Sequence, residues 1–441
     1  MAGDLGFASL GDLCDPKRSI TYGIVKVGDF VPGGVPIIRG GDIRNGRIAF
    51  NDDKRVTEEI SRQFQRTILK GGEILINLIA EPGHTAIVPP ELAGANVSRD
   101  VGVIPLNDTV DHRYVDYCLK SPMAIQWLTS RLQGSVTQKI NLATLRDFPI
   151  PTPALAEQHA IAHILGTLDD KIELNRRLNE TLEAMARALF KSWFVDFDPV
   201  RAKAEGRLPA EALAQAGDRR LPKPIADLFP DRFEDSELGE IPAGWEVQGI
   251  DEIANFLNGL ALQKYPPGDG ATLAVIKIAQ LRKGDTEGAD RCNTSVPPEY
   301  VINDSDVLFS WSGSLECVLW AGDRGALNQH LFKVTSMLFP KWFYYLWIHE
   351  HLASFRHTAA GKATTMGHIQ RHHLSDAKIV VPESDVLIAA DKMIAPIIEQ
   401  VMQRRVESRT LAALRDALLP KLISGELRVK NTEPSIKGVT V

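Results

Sequence analysis

The chain has 441 residues, a formal net charge of −6, and 44% hydrophobic and 24% charged residues. That length suits two or three globular domains, and the composition is ordinary for a globular protein. No apolar run reaches the roughly 18 residues that a membrane span needs, and Met1–Leu10 lacks the basic-then-apolar order of a signal peptide. Cys14, Cys118, Cys292 and Cys317 are scattered, with no CxxC pair, as expected of reduced thiols in a cytoplasmic protein. The net acidity argues mildly against a nucleic-acid partner, but it is unevenly spread. Residues 196–240 hold 11 Asp/Glu against 7 Lys/Arg, whereas residues 1–150 hold 17 of each.

Residues 1–153 read as a mixed α and β domain. Val35–Arg39 is a short apolar run, Gly71-Gly72 introduces the strand-like Glu73–Leu78, and Val101–Ile104 is β-branched. Tyr114–Leu132 carries Val115, Leu119, Ile125 and Leu128, which predicts one helix packed on a sheet. Pro149-Ile-Pro-Thr-Pro153 is a rigid extended stop. After it, residues 154–195 form a first long helix, with Ile161, Leu165, Leu168, Ile172, Leu178, Leu182, Met185, Leu189 and Trp193 as a narrow stripe and Asn175 on the same stripe. Steps of three and four are the spacing of a helix–helix seam.

Residues 196–240 are rich in Pro, Asp, Glu and Arg with little periodicity, which predicts a partly ordered surface connection. Residues 241–382 form a second globular domain. Residues 383–425 form a second long helix with the stripe Ile394, Ile397, Val401, Leu411, Leu414, Leu418 and Leu422, interrupted at Arg404 and Glu407. Pro396 should kink this helix or mark its start. Residues 426–441 are a tail. Stripes this narrow are expected to pair with each other rather than to pack each on its own domain.

The two halves repeat. Leu145, Ile150, Pro153, Leu182 and Leu189 recur as Leu374, Ile379, Pro382, Leu411 and Leu418, all at an offset of 229. Val275-Ile-Lys277 matches Ile37-Ile-Arg39, and Asp306-Val-Leu-Phe309 matches Glu73-Ile-Leu-Ile76. Two similar surfaces suit two segments of one extended ligand, and DNA is the obvious one.

Catalytic signatures are missing from the sequence. Gly361-Lys-Ala-Thr364 is not a phosphate-binding loop, because Arg356 stands at the first glycine position and Ala363 follows the lysine. The double prolines at Val88-Pro-Pro-Glu91, Tyr265-Pro-Pro-Gly268 and Val296-Pro-Pro-Glu299 do not fit the tetrapeptide of an adenine methyltransferase. No GxSxG or HExxH occurs, and Gly28…Gly33-Gly34 is not GxGxxG. Seven of the eleven histidines lie in the second half, including His349, His351, His368, His372 and His373. They lack companion ligands at metal-binding spacing, so no metal is expected.

Donor-rich loops are the candidate DNA contacts. Arg39, Arg44 and Arg47 follow a strand, where glycines allow close approach and arginine offers a fork to phosphate or guanine. Lys277, Gln280, Arg282 and Lys283 are the matching donors in the second copy. The loop Gly134–Asn141 supplies Ser135, Thr137, Gln138, Lys139 and Asn141, and its counterpart Gly361–His368 supplies Lys362, Thr364, Thr365 and His368. Each alone reads as a solvated surface side chain, but equivalent loops in both copies rise above that reading.

With these residues in view, the chain resembles the specificity (S) subunit of a type I restriction–modification enzyme. The carriers are Gly134-Ser-Val-Thr-Gln-Lys-Ile-Asn141, Pro149–Pro153 leading into Glu157-Gln158, Leu189–Pro199, Leu308-Phe-Ser-Trp-Ser-Gly313, Leu327–Val334 and Leu419–Leu427. The second boundary, Val381-Pro-Glu-Ser-Asp385, departs from the first by lacking its Pro-rich approach and Glu-Gln.

The resemblance implies an α+β fold with internal duplication: two mixed α/β target-recognition domains separated by two long antiparallel coiled-coil helices. It implies that the helices set the gap between DNA half-sites and dock two methyltransferase (M) subunits, with motor/nuclease (R) subunits as further partners. Double-stranded DNA would be the ligand, and no membrane is involved. S-adenosylmethionine, ATP and Mg would belong to the partners, with no cofactor in this chain and no catalytic residue. The rivals are a reader in another defence methyltransferase system, a coiled-coil scaffold without nucleic acid, and a stand-alone enzyme, against which the missing signatures argue.

Overall fold

The structure is a computed structural model that describes residues 6–44, 46–50, 52–132, 138–206, 221–361 and 367–429. The chain divides into two compact units, Met1–Lys171 with Leu411–Val441, and Ile172–Thr410. No helix among the described residues is long and apolar enough to cross a membrane.

The first unit centres on a four-stranded antiparallel sheet in the order Thr21–Tyr22, Val101–Ile104, Ile74–Asn77, Thr85–Ile87. Successive side chains on a strand point to opposite faces, so Ile74, Ile76 and Ile104 join one core with Leu10, Tyr114, Leu119 and Phe148. Leu75, Val101 and Val103 join another with Ile38, Ile43 and Ala86. Burial on both faces explains why these strands read as continuous apolar runs. Beside the sheet, Val35–Ile38 pairs antiparallel with Arg55–Val56 and parallel with Asn96–Val97. Phe7–Ser9 pairs with the proline-rich Pro149–Pro151.

The single helix expected over 114–132 is two, His112–Lys120 and Pro122–Thr129. Pro122 has no N–H to continue a helix, and the Ser121 hydroxyl caps the second by accepting the Ala124 N–H at 3.2 Å. The axis turns there, and Ile125 is left 58% exposed.

The second unit repeats the plan. Its antiparallel sheet runs Asn255–Asn258, Leu331–Thr335, Val307–Ser310, Cys317–Leu319. Thr272–Ile276 pairs antiparallel with Arg291–Asn293 and parallel with Gly325–Leu327. Glu246–Gly249 pairs with Lys378–Val381, as Phe7–Ser9 does with Pro149–Pro151.

The first long helix spans Leu155–Phe190 and ends in a π-helical turn, Lys191–Val195. Its 36 residues extend about 54 Å. The second spans Ser384–Ile423 without a break at Pro396, which is exposed. Pro396 therefore neither starts nor ends the helix, because its ring faces solvent and only one backbone bond is lost. The helix starts differ in how they are anchored. Gln158 is buried, donates to the Pro153 carbonyl at 2.9 Å and accepts the Asp111 N–H at 3.1 Å. The second helix has no such glutamine and is held instead by Trp342 Nε1 donating to Asp391 Oδ1 at 2.7 Å.

The helices both pair and pack. In the first unit Ile161, Ala162 and Leu165 of one, and Leu419, Leu422 and Ile423 of the other, enter the domain core, and Arg415 Nη1 lies 2.7 Å from Asp169 Oδ1. In the second unit Val386, Ala390, Ile394 and Ile398 enter the core. There Asn175 Nδ2 donates to Glu407 Oε2 at 2.8 Å and Asn179 Nδ2 to the Val401 carbonyl at 3.2 Å, so the helices run antiparallel. The polar interruptions of the two stripes thus meet.

Ile161, Leu165, Ile394 and Val401 are buried, and Leu168, Ile172, Leu182, Leu189, Ile397, Leu411 and Leu418 are half-buried. Met185 and Leu414, expected in the seam, are 41% and 47% exposed. At 3.6 residues per turn, the face carrying Asn175, Asn179 and Ala186 is the buried one. That rotation turns Leu174, Leu178 and Met185 outward.

Residues 196–240 are not merely a surface connection. Phe197, Val200, Leu221, Ala226 and Phe229 are buried in one core with Trp193, Phe194 and Trp245. Phe229 meets Trp193 edge-on at 5.1 Å. The acidic side chains dominate the composition, and the buried aromatics follow no regular period that would reveal them. Phe229→Ala should destabilise the second unit by about 3–5 kcal/mol, read as a lower denaturant midpoint by tryptophan fluorescence. An unchanged midpoint would restore the linker reading.

His349 lies against Tyr345, with ring centroids 4.6 Å apart. Burial, with repulsion from Arg187, holds its imidazole down at about 4, against an ordinary 6.5. Between these values the unfolded chain takes up a proton that the folded chain does not. Its contribution is therefore full above about pH 6.5 and falls as the pH drops toward 4. Denaturant midpoints measured across that window should decline, and His349→Gln should flatten the decline.

Candidate nucleic-acid interface

Four main-chain hydrogen bonds recur at matched places in the two units. In the first, the N–H groups of Leu78, Ile140, Ser98 and Arg99 donate to the carbonyls of Asp100 (2.7 Å), Leu78 (2.9 Å), Ile38 (2.9 Å) and Ile24 (2.9 Å). In the second, those of Trp311, Ile369, Asn328 and Gln329 donate to His330 (3.4 Å), Trp311 (2.9 Å), Ile276 (3.3 Å) and Leu260 (2.9 Å). Isolated bridges repeat too: Ile24 with Ser98 and Ile79 with Lys139, then Leu260 with Asn328 and Ser312 with His368.

Each set gathers the end of a central strand, the strand that leads to Arg39 or Lys277, the stretch before the neighbouring strand, and the loop ending at Ile140 or Ile369. Both frames need a glycine. A Cβ on Gly23 would sit 1.9 Å from the Val97 carbonyl oxygen, and one on Gly259 2.2 Å from that of Asn328.

The side chains on the frames differ. Tyr22 in the first stands where Asn258 stands in the second, and the other matched pairs are Leu78 and Trp311, Arg99 and Gln329, Asp100 and His330, Lys139 and His368. The first frame is charged. The Asp100 carboxylate accepts the Gly40 N–H at 2.9 Å and the Ser98 hydroxyl, while Arg99 and Lys139 are exposed. The second frame is aromatic. Trp311 Nε1 donates to Asn258 Oδ1 at 2.9 Å, and its ring lies 5.6 Å from His330 and 6.5 Å from His368. His330 Nδ1 is 3.2 Å from the Ser312 hydroxyl.

The sequence-predicted donors take several positions. Arg39 starts a short 3-10 turn, its N–H donating to Asp42 Oδ2 at 2.8 Å and its guanidinium to Asp53 at 3.0 Å. Lys277 occupies the matching position, its N–H donating to Gln280 Oε1 at 3.3 Å and its ammonium to Asp290. Gln280 therefore caps a helix. Arg44 and Arg47 are neighbours across a hairpin, where opposed like charges are unfavourable. Arg282 is exposed, and Lys283 is 2.5 Å from Glu287.

The Gln138 carbonyl accepts the Ala80 N–H at 3.2 Å, and its side chain is exposed. Asn141 caps the helix Leu142–Arg146, its Oδ1 accepting the Ala143 N–H at 2.9 Å. Ser135, Thr137, Lys362, Thr364 and Thr365 lie outside the described residues.

The frame thus brings Gln138 and Lys139, or His368, beside the end of a central strand, which Ser98 or Asn328 links to the strand that leads to Arg39 or Lys277. Sequence reading missed Tyr22, Arg99, Trp311, Gln329 and His330. Trp311, Gln329 and His330 sat inside segments noted for resemblance. Arg99 carries no motif and emerges only when Ser98-Arg-Asp100 is set against Asn328-Gln-His330.

Residues 5–184 match the family model of the type I restriction modification DNA specificity domain. Over 415 residues the chain is 26% identical to the type I restriction enzyme MjaIX specificity subunit of Methanocaldococcus jannaschii, covering 92% of this chain and 89% of that one. Over 439 residues it is 24% identical to the type I restriction enzyme HindI specificity subunit of Haemophilus influenzae, covering 89% and 94%. The fold is similar to that of the type I restriction–modification S subunit from M. genitalium, with a TM-score of 0.53 at 14% identity over 95% of this chain and 96% of that one. Likeness of this extent takes in both copies of the frame, and over most of its length the chain is similar to type I restriction enzyme specificity subunits.

Proposed function

We propose that the chain is the non-catalytic DNA specificity subunit of a type I restriction–modification system, and that its two frames each read one half of a split, asymmetric double-stranded target. Residues 1–153 and 241–382 are then the recognition domains, and 154–195 and 383–425 the spacer helices that seat two methyltransferase subunits and, through them, the motor/nuclease subunits. The complex works in the cytoplasm. The carrying observation is one main-chain frame built twice with different side chains on it. Equal frames suit equal ligands, and unequal side chains suit unequal base sequences.

Base edges in the major groove distinguish all four base pairs, so the exposed side chains of the frames dock there. Lys139 and Arg39 serve the phosphates, whose charge contributes much of the affinity of any DNA complex. With a net charge of −6, the chain depends on its partners for the rest. The partners supply S-adenosylmethionine, ATP and Mg, and the target adenine rotates out of the stack into a methyltransferase active site.

Methylation mapping in a host carrying the complete system should return a two-part motif with different halves. A single continuous motif, or a perfect palindrome, would defeat this reading.

Lys139→Ala and Arg39→Ala should weaken DNA binding by the assembled complex across all sequences alike. Each lost phosphate contact should make the plot of log affinity against log salt shallower by about 0.9. If neither variant changes affinity or slope, these residues do not face the phosphates.

A further inference from the structure

We propose that Arg99 and Gln329 read bases from matched positions of the two frames, Arg99 selecting a guanine in one half-site and Gln329 an adenine in the other. The inference rests on the split-target reading above.

The equivalence is geometric. Each residue is fixed by its own N–H, donated at 2.9 Å to the carbonyl of Ile24 or Leu260. Each follows a residue in a parallel bridge, Ser98 with Ile24 or Asn328 with Leu260. Each stands two residues before the strand Val101–Ile104 or Leu331–Thr335. A main-chain anchor of this kind holds the Cα in place whatever the side chain is.

Several other arginines in the first domain are committed. Arg18 is 2.8 Å from Glu73, Arg55 2.6 Å from Asp52 and Arg113 2.6 Å from Asp170. Arg99 is exposed, and its guanidinium has no protein partner among the described residues. A free fork of donors matches guanine O6 and N7, the commonest specific arginine contact in the major groove.

Gln329 presents a neutral amide with a donor and an acceptor, which matches adenine N6 and N7. Its setting is stiffer. Its carbonyl accepts Trp311 Nε1 at 3.2 Å, and its Nε2 is 3.4 Å from His330 Nε2. Trp311 therefore steadies the main chain that carries the reading amide.

The test uses the full chain assembled with its methyltransferase subunits, selecting from a randomised duplex library. Arg99→Ala should abolish the preference for guanine at one position of one half-site, a loss on the order of 5- to 150-fold in discrimination. Gln329→Ala should do the same to an adenine in the other half-site. The reciprocal changes Arg99→Gln and Gln329→Arg, which keep a hydrogen-bonding side chain on the same anchor, should move the preference toward adenine and guanine at those positions. Unchanged positional preferences, changes confined to one half-site, or a uniform loss across all sequences would overturn the inference. In those cases a split wild-type motif leaves the reading of the protein intact. A continuous wild-type motif would sink that reading itself.

Discussion

A main-chain amide needs an acceptor, and this requirement shapes both frames. Leu78, Ser98, Arg99 and Ile140 meet it through main-chain carbonyls, as do Trp311, Asn328, Gln329 and Ile369. Because the bonds join backbone to backbone, they hold for any side chain at these positions. Gly23 and Gly259 allow the approach, since a Cβ at either would overlap a carbonyl oxygen. A scaffold anchored this way can present Arg99 in one domain and Gln329 in the other without moving.

The helix pair answers a different constraint. A narrow apolar stripe would let two helices slide, because one leucine pair resembles the next. Asn175 is fully buried and gives its amide protons to Glu407 and Ser408, and Asn179 gives one to the Val401 carbonyl. Sliding by one turn would leave these donors without acceptors, at a cost of roughly 1–3 kcal/mol each. The seam therefore contributes register along with adhesion, at the expense of burying Asn175 Oδ1 and Asn179 Oδ1 without a partner among the described residues.

Much of this was legible in the residues. The central strands appeared as apolar runs because both of their faces are buried, and the second helix was expected over the span it adopts because its period is 3.6 residues and Pro382 precedes it. Other features were hidden. Phe197 and Phe229 sit in an acidic, aperiodic stretch, so their place in a core with Trp193 and Trp245 has no local signature. Met185 and Leu414 fit the stripe by spacing, yet the buried face is the one that carries Asn175 and Asn179. Asn141 looked like a loop donor and is committed to a helix N-terminus.

By itself the sequence determined the duplication, the helical and strand periods, and the family likeness. Each of these is written in residue type and spacing along the chain. Only the tertiary structure decided which helix face is buried, how each helix is anchored to its domain, and which side chains share a frame. Ile24, Ile38, Leu78, Arg99 and Ile140 are far apart in sequence, and no local propensity specifies the long-range hydrogen bonds that bring them together.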